Sequence, residues 1–170
     1  MTLIDAPAYD PRRDNLKRNI LIGIGGVVVL AIVLGLGGYF AGHGWFFTNI
    51  PAEHKVSRFF DALEARDYNK AYGIYNNDAD WQQHPDKYSG YPLNRFIEDW
   101  TTYSPVKAPI TSHRIEISKT DGSGAFGTGI IVAAHLNGNP HCAFVYVNRS
   151  DGTFTWPALH EIGYDKCNNV

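Results

Sequence analysis

The sequence predicts an α+β domain behind a single transmembrane helix, with three helices packed on a four-stranded antiparallel sheet. An uncharged apolar run near the N-terminus supplies the transmembrane helix. Three segments between Pro51 and Pro105 then place apolar residues at helical spacing. Four segments rich in β-branched and aromatic residues follow, separated by turn residues. Helices first and an antiparallel meander afterwards indicate the α+β class.

The chain divides into four parts on this interpretation. Residues 1–19 form a cytoplasmic tail, 20–42 the transmembrane helix, 43–50 an aromatic interfacial linker and 51–170 an extracytoplasmic domain. Once the membrane segment is set aside, about 125 residues remain, which is near the commonest size for one folding unit. We therefore expect one core.

The transmembrane prediction depends on length and charge. From Ile20 to Phe40 the chain carries no charge, and this run covers about 30 Å as a helix, the thickness of a hydrocarbon core. A cleaved signal peptide is the alternative, but its apolar region is usually about 7 to 15 residues long. The basic residues precede the run, which predicts an inner-membrane protein with a cytoplasmic N-terminus. They are Arg12, Arg13, Lys17 and Arg18.

Small residues mark one side of this helix. Ala31 with Gly35, and Gly38 with Gly42, are spaced four apart, which lets a second helix backbone approach closely. The pattern predicts association with other membrane protein subunits or with a second copy, within the lipid bilayer. The alternative is that glycine is simply common in membrane helices.

Three amphipathic helices are predicted in the domain. Thr48 or Asn49 caps the first, with Pro51 in its first turn. A break at residues 66–67 precedes the second, and Pro92 opens the third. Their apolar faces are Val56, Phe59, Phe60 and Leu63; Ala71, Tyr72 and Tyr75; and Leu93, Phe96, Ile97 and Trp100.

Four strands are predicted at about 111–119, 125–136, 141–149 and 153–162. The second and third are apolar on both faces, whereas an antiparallel sheet with one wet face should alternate. The helices cover one face. The other, with Phe154 and Trp156 from the last strand, would pack on a partner or a second copy; alternatively, sheet curvature and the C-terminal segment close over it.

The stretch from Val56 to Tyr72 resembles the opening helices of the nuclear-transport-factor-two-like superfamily. In that superfamily a helix ends at a small turn, and the chain resumes with an aromatic residue, an alanine and a tyrosine. The order of three helices and four strands also matches, over residues 51–162. The resemblance implies a strongly curved sheet wrapped around the helices as a cone with an open mouth. Members include isomerases, dehydratases, ligand binders and membrane-tethered modules.

An isomerase of this superfamily needs a carboxylate base and a hydrogen-bond donor inside the cone. The resemblance implies Asp99 as the base, with Tyr72 or Tyr103 as the donor. The alternative is that Asp99 lies on a solvated helix face and the tyrosines belong to the core. An inner space filled by aromatic side chains would eliminate the ligand site. The residues concerned are Phe59, Phe96, Trp100 and Phe144.

Other chemical signals are sparse, so we predict no cofactor and no metal. His135 and His141 flank the Asn137-Gly138 turn, and a three-residue loop would set them opposite each other, but no third ligand is spaced to join them. Cys142 and Cys167 can form one disulfide, which would close a loop of about 25 residues. Such a bond would stabilise the fold by about 3 kcal/mol. Alternatively, Cys142 is a small buried hydrophobe.

Charge excludes one functional class. After Gly44, acids outnumber bases by 14 to 11, which argues against a nucleic-acid footprint. The sequence predicts a non-enzymatic, single-pass accessory subunit of a larger membrane or envelope assembly, binding partners through its transmembrane helix and sheet face. The alternative is an extracytoplasmic protein that binds a small apolar ligand in the cone, either as a binder or as an isomerase or dehydratase.

Overall fold

The structure, a computed structural model, describes residues 11–40, 46–121, 128–155 and 167. It confirms the α+β class: an apolar N-terminal helix leads into three further helices and a curved, open, four-stranded antiparallel sheet. The described elements follow the predicted order, with every described helix before the first strand.

Helix α1 is Pro11–Phe40 and begins earlier than predicted, so it includes the basic residues of the predicted cytoplasmic tail. Proline suits a first helical position because its missing N–H would have no helical partner there. The stretch Asp14–Gly37 is long and apolar enough to cross a membrane, with a mean hydropathy of 2.8 and only 6% of its most apolar window buried. Its apolar side chains point outward on all sides.

Helix α2, Phe46–Glu64, corrects the predicted linker and cap, since residues 46–50 are already helical. Asn49 is fully buried, and its side-chain oxygen accepts hydrogen bonds from the hydroxyls of Thr48 and Thr120, at 2.9 and 3.2 Å. This anchor to the first strand outweighs the capping preference, and Pro51 therefore lies inside the helix. Residues 41–45, including Gly42, lie outside the described part of the chain.

Two shorter helices complete the helical layer. Helix α3, Tyr68–Tyr75, begins after the predicted break, where Asp67 accepts a hydrogen bond from the Lys70 N–H at 3.1 Å. Two single turns of 3₁₀-helix, Trp81–Gln83 and Pro85–Tyr88, lead to α4, Leu93–Thr101, which Pro92 opens as predicted.

The sheet has strands β1 His113–Asp121, β2 Gly129–Leu136, β3 Cys142–Asn148 and β4 Phe154–Thr155, paired in sequence order. A bulge between Ile115 and Ile117 shifts the β1–β2 register by one residue. Residues of β1 that face the helices are therefore odd-numbered before the bulge and even-numbered after it. Residues 122–127, which follow β1, and the predicted strand residues 156–162 lie outside the described residues.

The space between the helices and the sheet is filled by aromatic rings. Phe59 lies at its centre, with ring centroids 4.9 Å from Trp100, 6.1 Å from Phe96 and 5.4 Å from Phe154, and all four side chains are nearly inaccessible. Phe144, named with these residues as one whose ring would eliminate a ligand site by filling the cone, lies on the opposite sheet face, because it alternates with the inward-facing Ala143 and Val145.

Cys167 covers part of the outer face of the sheet. Cys167 is buried there, where it packs with Ile117, Ile131 and Ala133. Phe154 was predicted to lie on this outer face, but it pairs with Val147 and belongs to the inner core, so the prediction that it forms an interface is wrong. Trp156, predicted beside it, lies outside the described residues.

Candidate functional site

The predicted carboxylate and tyrosines do not converge. The Tyr72 hydroxyl donates to the Tyr91 carbonyl oxygen, and Asp99 instead accepts from the Tyr91 hydroxyl at 3.0 Å and pairs with the Arg95 Nε at 3.2 Å. Tyr103 is 63% exposed beyond the end of α4. Burial, and then the hydrogen bond to Asp99, raise the pKa of Tyr91. This arrangement fastens α4 to the preceding loop, and the neighbouring core is packed with rings.

The predicted histidine pair is also separated. The loop covers residues 137–141, so that His135 lies opposite Cys142 rather than His141. The His135 Nδ1 lies 2.9 Å from the Asn139 carbonyl oxygen, and His141 is exposed. Cys142 is bonded to Cys167, with their Cα atoms 5.1 Å apart. The structure thus brings the two cysteines together.

A network that the sequence did not suggest joins α2 to β1. The Ser57 Oγ lies 2.8 Å from the His113 Nε2, and the Glu64 Oε1 lies 2.5 Å from the His113 Nδ1. Ser57 and Glu64 are two helical turns apart, and the His113 ring spans the distance between them over the ring of Phe60, at 5.4 Å. The His113 side chain is only 10% exposed.

Serine, histidine and carboxylate in this order are the parts of a nucleophilic catalytic site. Ser57, however, lies inside α2, where the N–H groups of the residue and its neighbours bond to carbonyls one turn earlier. These N–H groups are engaged and do not form an oxyanion hole beside Ser57. The geometry favours a structural role, in which His113 holds the edge strand β1 against α2.

Two groups of described side chains have the spacing of a metal-binding set. In one, a ligand atom of Asp61 lies within 4.8 Å of those of Glu64 and His113, but the facing atoms of Glu64 and His113 already share a hydrogen bond. In the other, His135 lies beside Cys142 and Cys167, whose sulfur atoms are bonded to each other. Neither set has its ligand atoms free to hold a metal as they stand.

A groove of about 480 Å³ lies between α2, α3 and the loop that follows α3. Helix α2 contributes Lys55 and Arg58, and α3 contributes Lys70 and Ile74. The far wall is Trp81, whose indole N–H donates to the Asn69 carbonyl oxygen at 3.1 Å and whose ring meets Tyr72 edge to face at 4.7 Å. We call this feature the cationic groove.

Lys55 forms the inner end of the cationic groove. Its ammonium group donates to the Asn77 side-chain oxygen and to the Gly152 carbonyl oxygen, both at 2.6 Å, and lies 5.3 Å from the Phe154 ring centroid. Gly152 allows this approach, since its φ is +73° and a Cβ there would lie 3.0 Å from the ammonium nitrogen. Burial, and then the nearby Arg58, lower the pKa of Lys55.

Sequence reasoning missed both the network and the groove. Ser57 and His113 are 56 residues apart, and Lys55 and Gly152 are 97 apart, so no local spacing predicts either contact. The one available signal was the placement of Lys55 and Arg58 on the same side of a helix whose other face is apolar.

No known protein family, curated protein sequence or solved structure matches this chain. The α+β class therefore rests on the structure itself, and membership of the nuclear-transport-factor-two-like superfamily stays a prediction from residues 51–162.

Proposed function

We propose that this chain is a single-pass, non-enzymatic accessory subunit that binds other proteins of a membrane or envelope assembly. The observation that carries the proposal is α1, whose apolar side chains are exposed on all sides over a stretch long enough to cross a membrane. Such a surface requires lipid or other helices around it. The N-terminus is assigned to the cytoplasm and the domain to the other side of the inner membrane.

One side of α1 is suited to a helix partner. Ala31 is partly shielded and Gly35 is buried, while the described apolar side chains around them are exposed. Small residues one turn apart leave a shallow depression, and Gly38 lies on the same side of the helix. Gly42, predicted to extend this side, lies outside the described residues.

The proposal is tested on the intact chain in mild detergent. Sizing and mass spectrometry should detect a complex larger than the 19.0 kDa chain. Cross-linking with two differently tagged copies then separates self-association from binding to other subunits. A lone monomer, under conditions in which other complexes of the same membrane survive, contradicts the proposal.

A variant pair locates the contact. Ala31→Leu, Gly35→Leu and Gly38→Leu together should keep α1 in the membrane but weaken assembly, because larger side chains hold the partner backbone away. The matched control is Gly26→Leu with Gly37→Leu. At 100° per residue these positions lie nearly opposite Gly35, and an added Cβ meets nothing within 4 Å at either. If both variants weaken assembly equally, the side of α1 that carries Ala31, Gly35 and Gly38 is not the contact.

A further inference from the structure

The cationic groove is lined by three cations, Lys55, Arg58 and Lys70, and by a single carboxylate, that of Asp78. None of the ion pairs in the described part of the chain involves Lys55, Arg58 or Lys70. Asp78, the acid that lines the groove, accepts from the Tyr88 hydroxyl at 2.5 Å and lies 3.7 Å from the Lys87 ammonium. These three cations lie together in one groove, although acids outnumber bases in the domain as a whole.

Lys55 is the half-buried member of this set. Its two acceptors, Asn77 and the Gly152 carbonyl, are neutral, so they satisfy two of its three N–H groups without cancelling the charge. Partial burial of a cation is costly, and the repulsion from Arg58 outweighs the attraction of the nearby Asp151 carboxylate. An anion entering the groove would relieve both effects.

The walls indicate more than a small inorganic anion. The volume of the groove falls in the range of sites that bind molecules of many atoms. Trp81 and Ile74 provide apolar surface beside the cations, and the amide of Gln82 can bond to a peptide group. A phosphate or sulfate ion would use the charge and leave the apolar wall unused.

We infer that the cationic groove binds an acidic peptide segment of a partner protein, with carboxylates on Arg58, Lys70 and the remaining N–H of Lys55, and an apolar side chain against Trp81. This inference rests on the proposed function as an interaction subunit. It adds a second contact to that of α1, one made by the domain outside the membrane, and names the chemistry of what it recognises.

The test uses the full chain in nanodiscs of neutral lipid. The probe is a fluorescent hexapeptide of alternating aspartate and leucine, and its reference is the same peptide with asparagine in place of aspartate. Fluorescence anisotropy should show binding of the acidic peptide alone, weakening as added salt shortens the range of the charges.

The groove variant is Arg58→Gln with Lys70→Gln, two exposed side chains that make no described structural contact. We expect the acidic peptide to bind at least about tenfold more weakly, because each charge-assisted hydrogen bond lost is worth about that much. The matched control, Lys107→Gln with Lys119→Gln, removes two exposed charges outside the groove and should bind as the unaltered chain does.

A charge-reversal variant distinguishes loss of the binding site from loss of the fold. Arg58→Glu with Lys70→Glu should lose the aspartate peptide and bind a lysine–leucine hexapeptide, which an unfolded chain would not do selectively. The inference is overturned if the groove variant and the control bind the acidic peptide equally, or if the asparagine peptide binds as well. Displacement of the peptide by millimolar inorganic phosphate, or by anionic lipid in the disc, would also overturn it by assigning the groove to a phosphate group.

The two proposals fail separately. A chain that binds the acidic peptide but is a lone monomer in mild detergent contradicts the accessory-subunit proposal while the groove retains its ligand class. A chain that co-purifies in a complex, with assembly unchanged in the groove variant and no binding of the acidic peptide, leaves the accessory subunit in place and removes the groove as its contact.

Discussion

His113, the first residue of β1, joins this strand to helix α2. Its ring is held by Ser57 on one nitrogen and Glu64 on the other, and it rests on Phe60. Among the described strands β1 pairs with β2 alone, so it is held by a neighbouring strand on one side only. Side-chain bonds to α2 supply part of that restraint.

Removal of one end of this network should therefore destabilise the domain. Glu64→Ala leaves a ring N–H of a nearly buried histidine without its acceptor, and we expect a loss of about 1 to 3 kcal/mol in unfolding free energy. Glu64→Gln keeps an acceptor oxygen and should cost less. Urea unfolding of the full chain in detergent measures both.

Asp61→Ala is the matched control, since Asp61 is exposed on the same helix and should change stability by no more than about 0.5 kcal/mol. If Glu64→Ala and Asp61→Ala are equally mild, the His113 network does not stabilise the fold.

Gly129 is required by a neighbouring ring rather than by its backbone angles. A Cβ at this position would lie 2.1 Å from the Tyr146 Cζ, and Tyr146 is held there by a 2.7 Å hydrogen bond between its hydroxyl and that of Thr128. A tyrosine packed over a strand glycine covers the otherwise bare backbone.

We expect Gly129→Ala to destabilise the domain by about 1 to 3 kcal/mol, because the ring must leave its position. In a Tyr146→Ala background the same change should cost far less, since nothing remains to collide. Thermal unfolding of the two single variants and the double variant gives the coupling energy. Additive costs would mean that the two residues do not compete for space.

At the scale of elements, the loop from α3 to α4 depends on one carboxylate. Asp78 accepts hydrogen bonds from the Tyr88 hydroxyl and from the Asp80 N–H, at 2.5 and 3.1 Å, and lies near His84 and Lys87. The hydrogen bond from Tyr88 is the main cause that lowers the pKa of Asp78 below its usual 3.8.

A lowered carboxyl pKa means that the folded loop prefers the ionised form. The stabilisation is fully present above the unfolded pKa near 3.8 and is lost as pH falls through the lower folded value. The protection of amides in residues 78–88, measured against their intrinsic exchange rates at each pH, should therefore fall below about pH 3.8 before the sheet opens. Asp78→Asn should show fast exchange already at neutral pH; unchanged protection there would exclude this role.

Sequence patterns predicted the elements better than their contacts. Helices α3 and α4 begin where the break at residues 66–67 and Pro92 place them, because capping and proline geometry act locally. The start of α2 was wrong because the buried side chain of Asn49 is fixed by Thr120, 71 residues away. The sequence likewise did not predict the bulge in β1, because one extra residue does not change the residue types that are typical of a strand.

At the scale of the whole molecule, two independent features imply the same orientation. The four basic residues of the N-terminal region precede the uncharged run that begins at Ile20, which favours a cytoplasmic N-terminus. At the other end of the chain, Cys142 and Cys167 form a disulfide, and such bonds persist in oxidising compartments. Both features support the proposed orientation, in which the domain lies on the side of the membrane away from the cytoplasm.

An inversion of the chain should therefore change its redox state. We expect a variant with glutamine at the four basic positions, and with His43→Lys and Gly44→Lys beyond the apolar run, to turn the domain toward the cytoplasm of a bacterial host. Its cysteines would then stay reduced and react with a maleimide after denaturation, whereas those of the unaltered chain would not.

Arginine-to-lysine changes at Arg12, Arg13 and Arg18 keep the charge, and this control should keep both the orientation and the disulfide. Protease treatment of cells with a permeabilised outer membrane measures the orientation of the domain independently of the thiols. If the domain of the unaltered chain is protected from protease and its cysteines are free, the domain faces the cytoplasm and the proposed orientation is wrong. A domain that is digested but carries free thiols would keep the orientation and exclude the disulfide as a stabilising bond in the cell.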